Sequence, residues 1–169
     1  MTEGRSKGED RGGSELDELY QSVILDHNRA PRNFRTLENA NRHAEGRNPL
    51  CGDLYEVWLR LDGDVIAEAT FQGQGCAISK ASASMMTQAV KGKTVAEARE
   101  LFEKFHQVVT GVRDQGSGDR GPGALPSKLE VFRGVSAFPI RVKCATLSWH
   151  AMKAALDEGG RAEGRKGGT

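Results

Sequence analysis

The stretch "YEVWLRLDGDVIAEATFQ", residues 55–72, consists of two alternating segments separated by a turn signal. Every second residue of each segment is apolar: Tyr55, Val57, Leu59 and Leu61 in the first, and Val65, Ala67, Ala69 and Phe71 in the second. A period of two is typical of a β-strand with one buried face. Asp62–Gly63, between the segments, is a preferred two-residue hairpin turn. The sequence therefore predicts an antiparallel hairpin.

Two further elements are predicted before the hairpin. Ser14 is followed by acidic residues, as at the start of a helix, and an apolar helical spacing continues until Pro31 ends it. A short edge strand is predicted around residues 40–45. The sheet is thus expected to have two or three strands.

Four helices are predicted after the hairpin. The first follows Gly73 and Gly75, which mark a close approach of the backbone to its surroundings. The second and the short third are each preceded by a capping box, Thr94 with Glu97 and Ser127 with Glu130. A proline at position 139 starts the last helix. The apolar stripes are Ile78, Ala81, Met85 and Ala89 in the first helix, Ala98, Leu101, Phe102, Phe105, Val108 and Val109 in the second, and Ile140, Cys144, Leu147, Ala151 and Ala155 in the last. Grouped strands followed by helices predict an α+β fold, a small antiparallel sheet of two to three strands with helices packed on one face.

The 169 residues suffice for one domain. We expect that domain to span residues 15–157. The segments 1–14 and 158–169 are rich in glycine and charged residues and are predicted to be disordered tails. The glycine-rich segment 111–126 is predicted to be a flexible loop inserted in the domain.

The composition argues against several classes of function. A net charge of +1 with interleaved acidic and basic residues gives no basis for nucleic-acid binding. No apolar run approaches the roughly 20 residues that span a bilayer, and the first residues do not resemble a secretory signal. We therefore expect a cytoplasmic protein. Three cysteines, an odd number, in a reducing compartment do not indicate a disulfide framework. Buried thiols, a metal site or a reactive thiol remain.

Each cysteine has a functional interpretation and a simpler one. Gly52 allows the side chains of Cys51 and Asp53 to converge at the entrance of a strand, although an ordinary turn also explains this pattern. Cys76 lies where a glycine-rich loop becomes a helix, which favours a thiolate, but it could equally be a small apolar residue. Cys144 lies on an apolar stripe and could belong to the core.

Taken together, three thiolates and one carboxylate form a set suited to Zn²⁺ or to an iron–sulfur cluster. The spacing of the cysteines, 25 and then 68 residues, is not that of a zinc finger. Arg141 and Lys143 flank Cys144 and could moderate the negative charge of such a site, or simply face solvent. At this stage a shared metal site is one of several open interpretations.

Four segments in this order resemble the U-type iron–sulfur cluster assembly proteins, the family of SufU, IscU and the NifU N-terminal domain. They are "LYQSVILDHNRAPRN" (19–33), "NPLCGD" (48–53), "GQGCAISKASASMMTQAVKGKT" (73–94) and "FPIRVKCATLSW" (138–149). The chain is more similar to the SufU branch. IscU-type proteins have a histidine immediately before the third cysteine, where this chain has Lys143, and SufU-type proteins carry an insertion where residues 111–126 lie.

The resemblance implies a set of site residues and a reaction. Cys51, Asp53, Cys76 and Cys144 would be the Zn²⁺ ligands, Cys51 would accept the sulfur of a persulfide, and Arg141 would act near the site. The implied partner is a SufS-like, PLP-dependent cysteine desulfurase, one histidine of which replaces Cys51 on the zinc. The sulfur would then pass to a scaffold such as the SufBCD complex.

Two alternatives remain open at the level of sequence. The same Cys and Asp residues could hold a labile iron–sulfur cluster on an assembly scaffold. Alternatively, the chain could be an interaction module with a structural zinc, although a carboxylate ligand is less common in structural zinc sites than Cys or His.

Overall fold

The computed structural model describes residues 21–111 and 125–158. Within these ranges the chain forms a three-stranded antiparallel sheet and several helices. The strands are β1 (Arg42–Asn48), β2 (Asp53–Asp62) and β3 (Val65–Gln74), in the order β1-β2-β3. Residues 21–29 are helical (α1), and the sheet is followed by α2 (Ala77–Val90), α3 (Val95–Thr110), a 3-10 helix (Ser127–Ala137) and α4 (Pro139–Glu158). The predicted α+β fold is confirmed.

Several of the predictions lie outside the described residues. These are the start of the first helix, the N-terminal tail, residues 159–169 of the C-terminal tail and residues 112–124 of the inserted loop. No helix in the described ranges combines the length and hydropathy needed to span a bilayer.

The core lies on one face of the sheet, where α4 contacts β1 and β2 and α2 contacts β3. The alternation predicted for β2 is confirmed, because its inward residues Tyr55, Val57, Leu59 and Leu61 are all buried. In β3 the predicted alternation is wrong at its start. Ile66 is fully buried, whereas Val65 is 38% exposed.

A β-bulge explains this difference in β3. The pairing register shifts between Arg60 and Leu61, so that Leu61 pairs with Ile66 while Arg60 pairs with Glu68. One residue of β3, Ala67, is therefore extra, and the side chains before it exchange faces. A sequence pattern with a fixed period of two cannot show such an insertion.

Strand β1 lies further along the chain than predicted, at Arg42–Asn48 rather than 40–45. Its one buried apolar side chain is that of Ala44, so its sequence has little alternation to reveal its bounds. The shift matters for the site. Asn48 at the end of β1 pairs with Asp53 at the start of β2, so residues 49–52 form a hairpin turn. This turn contains Cys51.

The helix starts agree with the predictions in one case and differ in another. At α3 the hydroxyl of Thr94 accepts the Glu97 amide (3.1 Å) and the Glu97 carboxylate accepts the Thr94 amide (2.9 Å), which confirms the capping box. The second box is wrong: the segment is a 3-10 helix without a side-chain cap, and Glu130 pairs with Arg133 instead. In α4 the predicted apolar stripe is buried except for Ile140, which is 60% exposed.

Helix α1 and the segment after it are tied to α2 by buried polar contacts. His27 is 4% exposed, and its Nδ1 lies 2.7 Å from the hydroxyl of Ser84. The same hydroxyl accepts the backbone amide of Arg32 (2.8 Å), and Asn33 donates to the hydroxyl of Thr87 (3.0 Å). These contacts hold α1 and the residues after it against α2.

We expect the fold to lose stability on acidification, in part through His27. Burial, and then the charge of Arg32, lower the pKa of this imidazole, with Lys128 acting in the same direction and Asp26 opposing. The unfolded chain therefore binds more protons than the folded one once the pH falls below about 6.5, and stability falls there. The pH-dependent drop in thermal midpoint should be smaller in His27→Gln than in the wild type. Equal drops in the two proteins would contradict this role of His27.

Candidate metal centre

Three of the residues singled out in the sequence meet at one end of the sheet. One ligand atom each of Cys51, Asp53 and Cys144 lies within 4.8 Å of the other two. Cys51 belongs to the turn between β1 and β2, Asp53 begins β2, and Cys144 lies near the start of α4. The Sγ atoms of Cys51 and Cys144 are 3.6 Å apart. The packing of α4 on β1 and β2 is what brings these residues together.

Backbone hydrogen bonds shape the turn that carries Cys51. The carbonyl oxygen of Asn48 accepts the amides of Cys51 (3.2 Å) and Gly52 (2.8 Å), and its side-chain oxygen accepts the amide of Leu50 (3.2 Å). Gly52 has a φ of 74°, a conformation that glycine adopts without steric cost. This bend lets the side chains of Cys51 and Asp53 point to the same place, as the sequence predicted.

The carboxylate of Asp53 is only partly satisfied. The residue is 2% exposed, and its Oδ1 accepts the backbone amide of Cys76 at 3.3 Å. Among the described residues, its Oδ2 is buried without a hydrogen-bond partner. A buried carboxylate oxygen without a partner is costly unless a cation neutralises it. A carboxylate beside two thiols is a donor set that fits zinc.

The fourth predicted residue, Cys76, lies beside this group without being part of it. It is the N-cap of α2, where its Sγ accepts the amide of Ser79 at 3.4 Å. Its own backbone amide donates to Asp53. A hydrogen bond to the Asp53 carboxylate therefore links Cys76 to the other residues of the group. Cys76 itself is exposed.

The three thiols differ in their surroundings. Cys144 is 4% exposed, whereas Cys51 and Cys76 are exposed. Burial raises the pKa of Cys144, and its hydrogen bond with Cys51 and the nearby charge of Cys76 raise it further. A bound cation reverses this effect, because it stabilises the thiolate directly. Without a cation, burial therefore favours the neutral thiol form of Cys144.

Comparison with known proteins identifies the family. Residues 19–159 match the NifU-like N-terminal domain. The chain belongs to this family. The NifU-like chain is 45% identical over 147 residues to the protein named zinc-dependent sulfurtransferase SufU of Bacillus subtilis (strain 168), covering 86% of this chain and 95% of that one. It is also 37% identical over 150 residues to the protein named iron–sulfur cluster assembly scaffold protein IscU of Streptococcus pyogenes serotype M1, covering 89% and 90% of the two chains.

A solved structure supports the same assignment of the NifU-like chain. The protein from Fervidobacterium islandicum AW-1, whose name refers to a scaffold of iron–sulfur cluster assembly in the SUF system, superposes with a TM-score of 0.70. The two are 34% identical, and the match covers 79% of this chain and 93% of that one. The resemblance found in the four sequence segments is thereby confirmed.

Arg141 and Lys143 lie in the first turns of α4 in the NifU-like chain, immediately before Cys144. Both are exposed. Within residues 21–111 and 125–158, neither side chain makes a hydrogen bond or an ion pair. The roles predicted for Arg141 and Lys143 therefore stay predictions.

Sequence reasoning missed two residues that contact the site, Tyr55 and Ser79. Their hydroxyl oxygens are 3.0 Å apart, and both residues are buried. Burial raises the pKa of Tyr55 to about 12, while its hydrogen bond with Ser79 acts in the opposite direction. The alternation in β2 showed that Tyr55 faces inward but not which residues its hydroxyl contacts. The one sequence feature that indicated close packing here was Gly75, just before Cys76.

Proposed function

We propose that this NifU-like chain is a zinc-dependent sulfurtransferase of SUF-type iron–sulfur cluster assembly. It accepts persulfide sulfur on Cys51 from a PLP-dependent, SufS-like cysteine desulfurase and passes it to a SufBCD-like scaffold. The observation that carries the proposal is the buried Asp53 carboxylate, one oxygen of which has no partner in the described part of the chain, beside one exposed and one buried thiol. The SufU relative, named a zinc-dependent sulfurtransferase, supports it.

The residues that would hold zinc are Cys51, Asp53, Cys76 and Cys144. When bound, zinc lowers the pKa of its cysteine ligands so that they are thiolates at neutral pH. This chemistry needs reduced thiols, which the cytoplasm maintains and an oxidising compartment does not. We therefore place the protein in the cytoplasm.

Exposure and position in the fold support Cys51 as the sulfur acceptor. The thiol of Cys144 is buried, and the Sγ of Cys76 accepts a backbone amide as the N-cap of α2. Cys51 lies in a turn of four residues, 49–52, and is exposed. A persulfide carried by a partner protein can reach this sulfur without any opening of the core.

The transfer step is balanced without an external oxidant or reductant. The thiolate of Cys51 attacks the terminal sulfur of the desulfurase persulfide, and a new S–S bond forms. The S–S bond of the desulfurase breaks, and its cysteine leaves with the electron pair as a thiolate. We assign Arg141 the role of attracting the anionic persulfide, because its guanidinium is exposed and unpaired among the described residues and precedes Cys144 by less than one helical turn.

A second candidate function is an assembly scaffold that holds a labile iron–sulfur cluster on the same ligands. The IscU relative, named a scaffold, favours it. Lys143 counts against it, because this position supplies no imidazole ligand. A structural zinc in an interaction module is a third candidate, and the exposed Cys51 counts against that one, because a ligand buried on all sides suits a permanent site better.

Metal analysis of the protein, purified without added metal, separates the first two functions. We expect about one zinc per chain, as in other four-ligand sites, and no absorbance from an iron–sulfur cluster. Incubation with a cysteine desulfurase and cysteine should then add one sulfur atom to the peptide that contains Cys51, as detected by mass spectrometry. Iron and sulfide bound in similar amounts in place of zinc would contradict the sulfurtransferase proposal.

A further inference from the structure

Tyr55 and Ser79 form a hydrogen-bonded pair on the inner side of the candidate metal centre. We propose that Tyr55, acting through Ser79, is a positioning residue that orders Cys76 and Asp53 for metal binding and thereby slows metal release. This inference rests on the proposed function, because the metal concerned is the zinc held by these residues. Tyr55 itself touches neither the sulfur nor the reacting atoms.

The hydroxyl of Ser79 has two oxygen partners. It donates to the carbonyl oxygen of Cys76 at 3.0 Å. The hydroxyl oxygens of Ser79 and Tyr55 are also 3.0 Å apart, and with the Ser79 proton on this carbonyl the donor between the two hydroxyls is Tyr55. Tyr55 is fully buried, so solvent cannot replace this donor. A chain of two hydrogen bonds thus runs from Tyr55 through Ser79 to the backbone of Cys76.

These hydrogen bonds reach a residue that is held at four points. The carbonyl oxygen of Cys76 accepts from the Ser79 hydroxyl and from the Lys80 amide, its Sγ accepts from the Ser79 amide, and its own amide donates to Oδ1 of Asp53. With Oδ1 occupied in this way, Oδ2 of Asp53 has no hydrogen-bond partner among the described residues. The orientation of the carboxylate therefore depends on the position of Cys76, to which Ser79 contributes two of the four contacts.

The Tyr55 hydroxyl lies in a closely packed group of oxygens around Gly75. A side-chain carbon placed on Gly75 would lie 2.7 Å from both the Tyr55 hydroxyl and Oδ1 of Asp53, and 2.4 Å from the Ser79 hydroxyl. The three oxygens therefore surround the backbone of Gly75 closely. In Tyr55→Phe, the Ser79 hydroxyl loses its bond to the tyrosine and, as an acceptor, keeps only the long contact in which the Cys76 thiol donates to it, at 3.7 Å.

The test compares zinc release from the full-length wild type, Tyr55→Phe, Ser79→Ala and the double variant. Zinc-loaded protein is mixed with a chromogenic chelator, and the rate and equilibrium of transfer are measured. We expect release about 10-fold faster in Tyr55→Phe, in the range typical of lost hydrogen bonds behind metal ligands. Ser79→Ala should have at least the same effect. The double variant should release zinc no faster than Ser79→Ala, because both residues act through the same series of hydrogen bonds.

Ser84→Ala is the matched control. It removes a buried hydroxyl from the same helix, α2, but this hydroxyl contacts His27 and the amide of Arg32 and no predicted ligand. We expect wild-type release from this variant even if its thermal midpoint falls. Equal release from Tyr55→Phe and Ser84→Ala would contradict the inference.

Two further measurements separate positioning from general stability. In the metal-free protein, amide exchange of Cys76 should be faster in Tyr55→Phe than in the wild type, while exchange in the middle of α3 stays unchanged. In the Co²⁺-loaded protein, the absorption bands of the metal should shift in Tyr55→Phe and not in Ser84→Ala. A wild-type protein that binds no zinc would contradict the proposed function and this inference with it. A zinc-binding wild type with an indistinguishable Tyr55→Phe variant would contradict the inference alone.

Discussion

Substitution of Cys51 by serine is expected to reduce sulfur transfer to the level of the desulfurase alone, a loss on the order of 10³-fold or more, as when an enzyme loses its nucleophile. A serine hydroxyl is not ionised at neutral pH and does not attack a persulfide. Because Cys51 lies in an exposed turn, the fold should be unaffected. The measurement is cysteine turnover by a desulfurase in the presence of the variant and a reductant.

Mass spectrometry provides the control for this variant. Zinc should remain bound, held by Asp53, Cys76 and Cys144, so that loss of transfer is not loss of the metal. No peptide of Cys51→Ser should gain a sulfur atom. A persulfide found on Cys76 of the variant, at the wild-type rate, would show that Cys51 is not the acceptor.

Substitution of Gly75 by alanine is expected to lower zinc affinity by about 100-fold or more, the upper end of the effects seen when residues behind metal ligands are changed. The new methyl group would lie 2.4 to 2.7 Å from oxygens of Ser79, Asp53 and Tyr55, all of which are buried. The ring of Tyr55 cannot retreat, because it packs against Phe71 with centroids 5.9 Å apart. Asp53 and Ser79 must therefore move, and they are the residues that order the site.

The free energy of unfolding of Gly75→Ala should also fall, by about 1–3 kcal/mol, as for other overpacked sites. Chelator competition measures the affinity, and chemical denaturation of the metal-free chain measures the stability. Gly134→Ala is the matched control, since a side-chain carbon there meets no atom of the described residues within 4 Å. Wild-type zinc affinity in Gly75→Ala would show that the crowded oxygens do not set the geometry of the ligands.

Elements specified by local chemistry could be predicted from the sequence. The capping box of Thr94 with Glu97 needs only neighbouring residues and is present. The hairpin turn is present one residue later than predicted, because Asp62 pairs with Val65 and the two loop residues are Gly63 and Asp64. The bulge at Ala67 could not be predicted, since it depends on pairing with another strand. The same holds for the 3-10 helix, whose Glu130 binds Arg133 rather than a helix start.

The site was predictable to a similar extent. Gly52 allowed the convergence of Cys51 and Asp53 to be foreseen, and the apolar stripe of the last helix placed Cys144 on an inward face. Neither pattern could show that the two sulfurs lie 3.6 Å apart, because that distance depends on how α4 crosses the sheet. The position of the Tyr55 hydroxyl was hidden for the same reason, since it depends on a partner 24 residues away along the chain.

The hairpin turn and α4 contribute sulfurs that are 93 residues apart in sequence. A metal held between them is a cross-link between the first half of the domain and its last helix. Since the unfolded chain has no such site, metal binding and folding are thermodynamically linked, and each tenfold rise in free zinc above the dissociation constant adds about 1.4 kcal/mol to the stability of the fold. With zinc bound there, the amount of folded protein would depend on the free zinc concentration, and a partner that displaced the Cys51 ligand would weaken the link between α4 and the sheet.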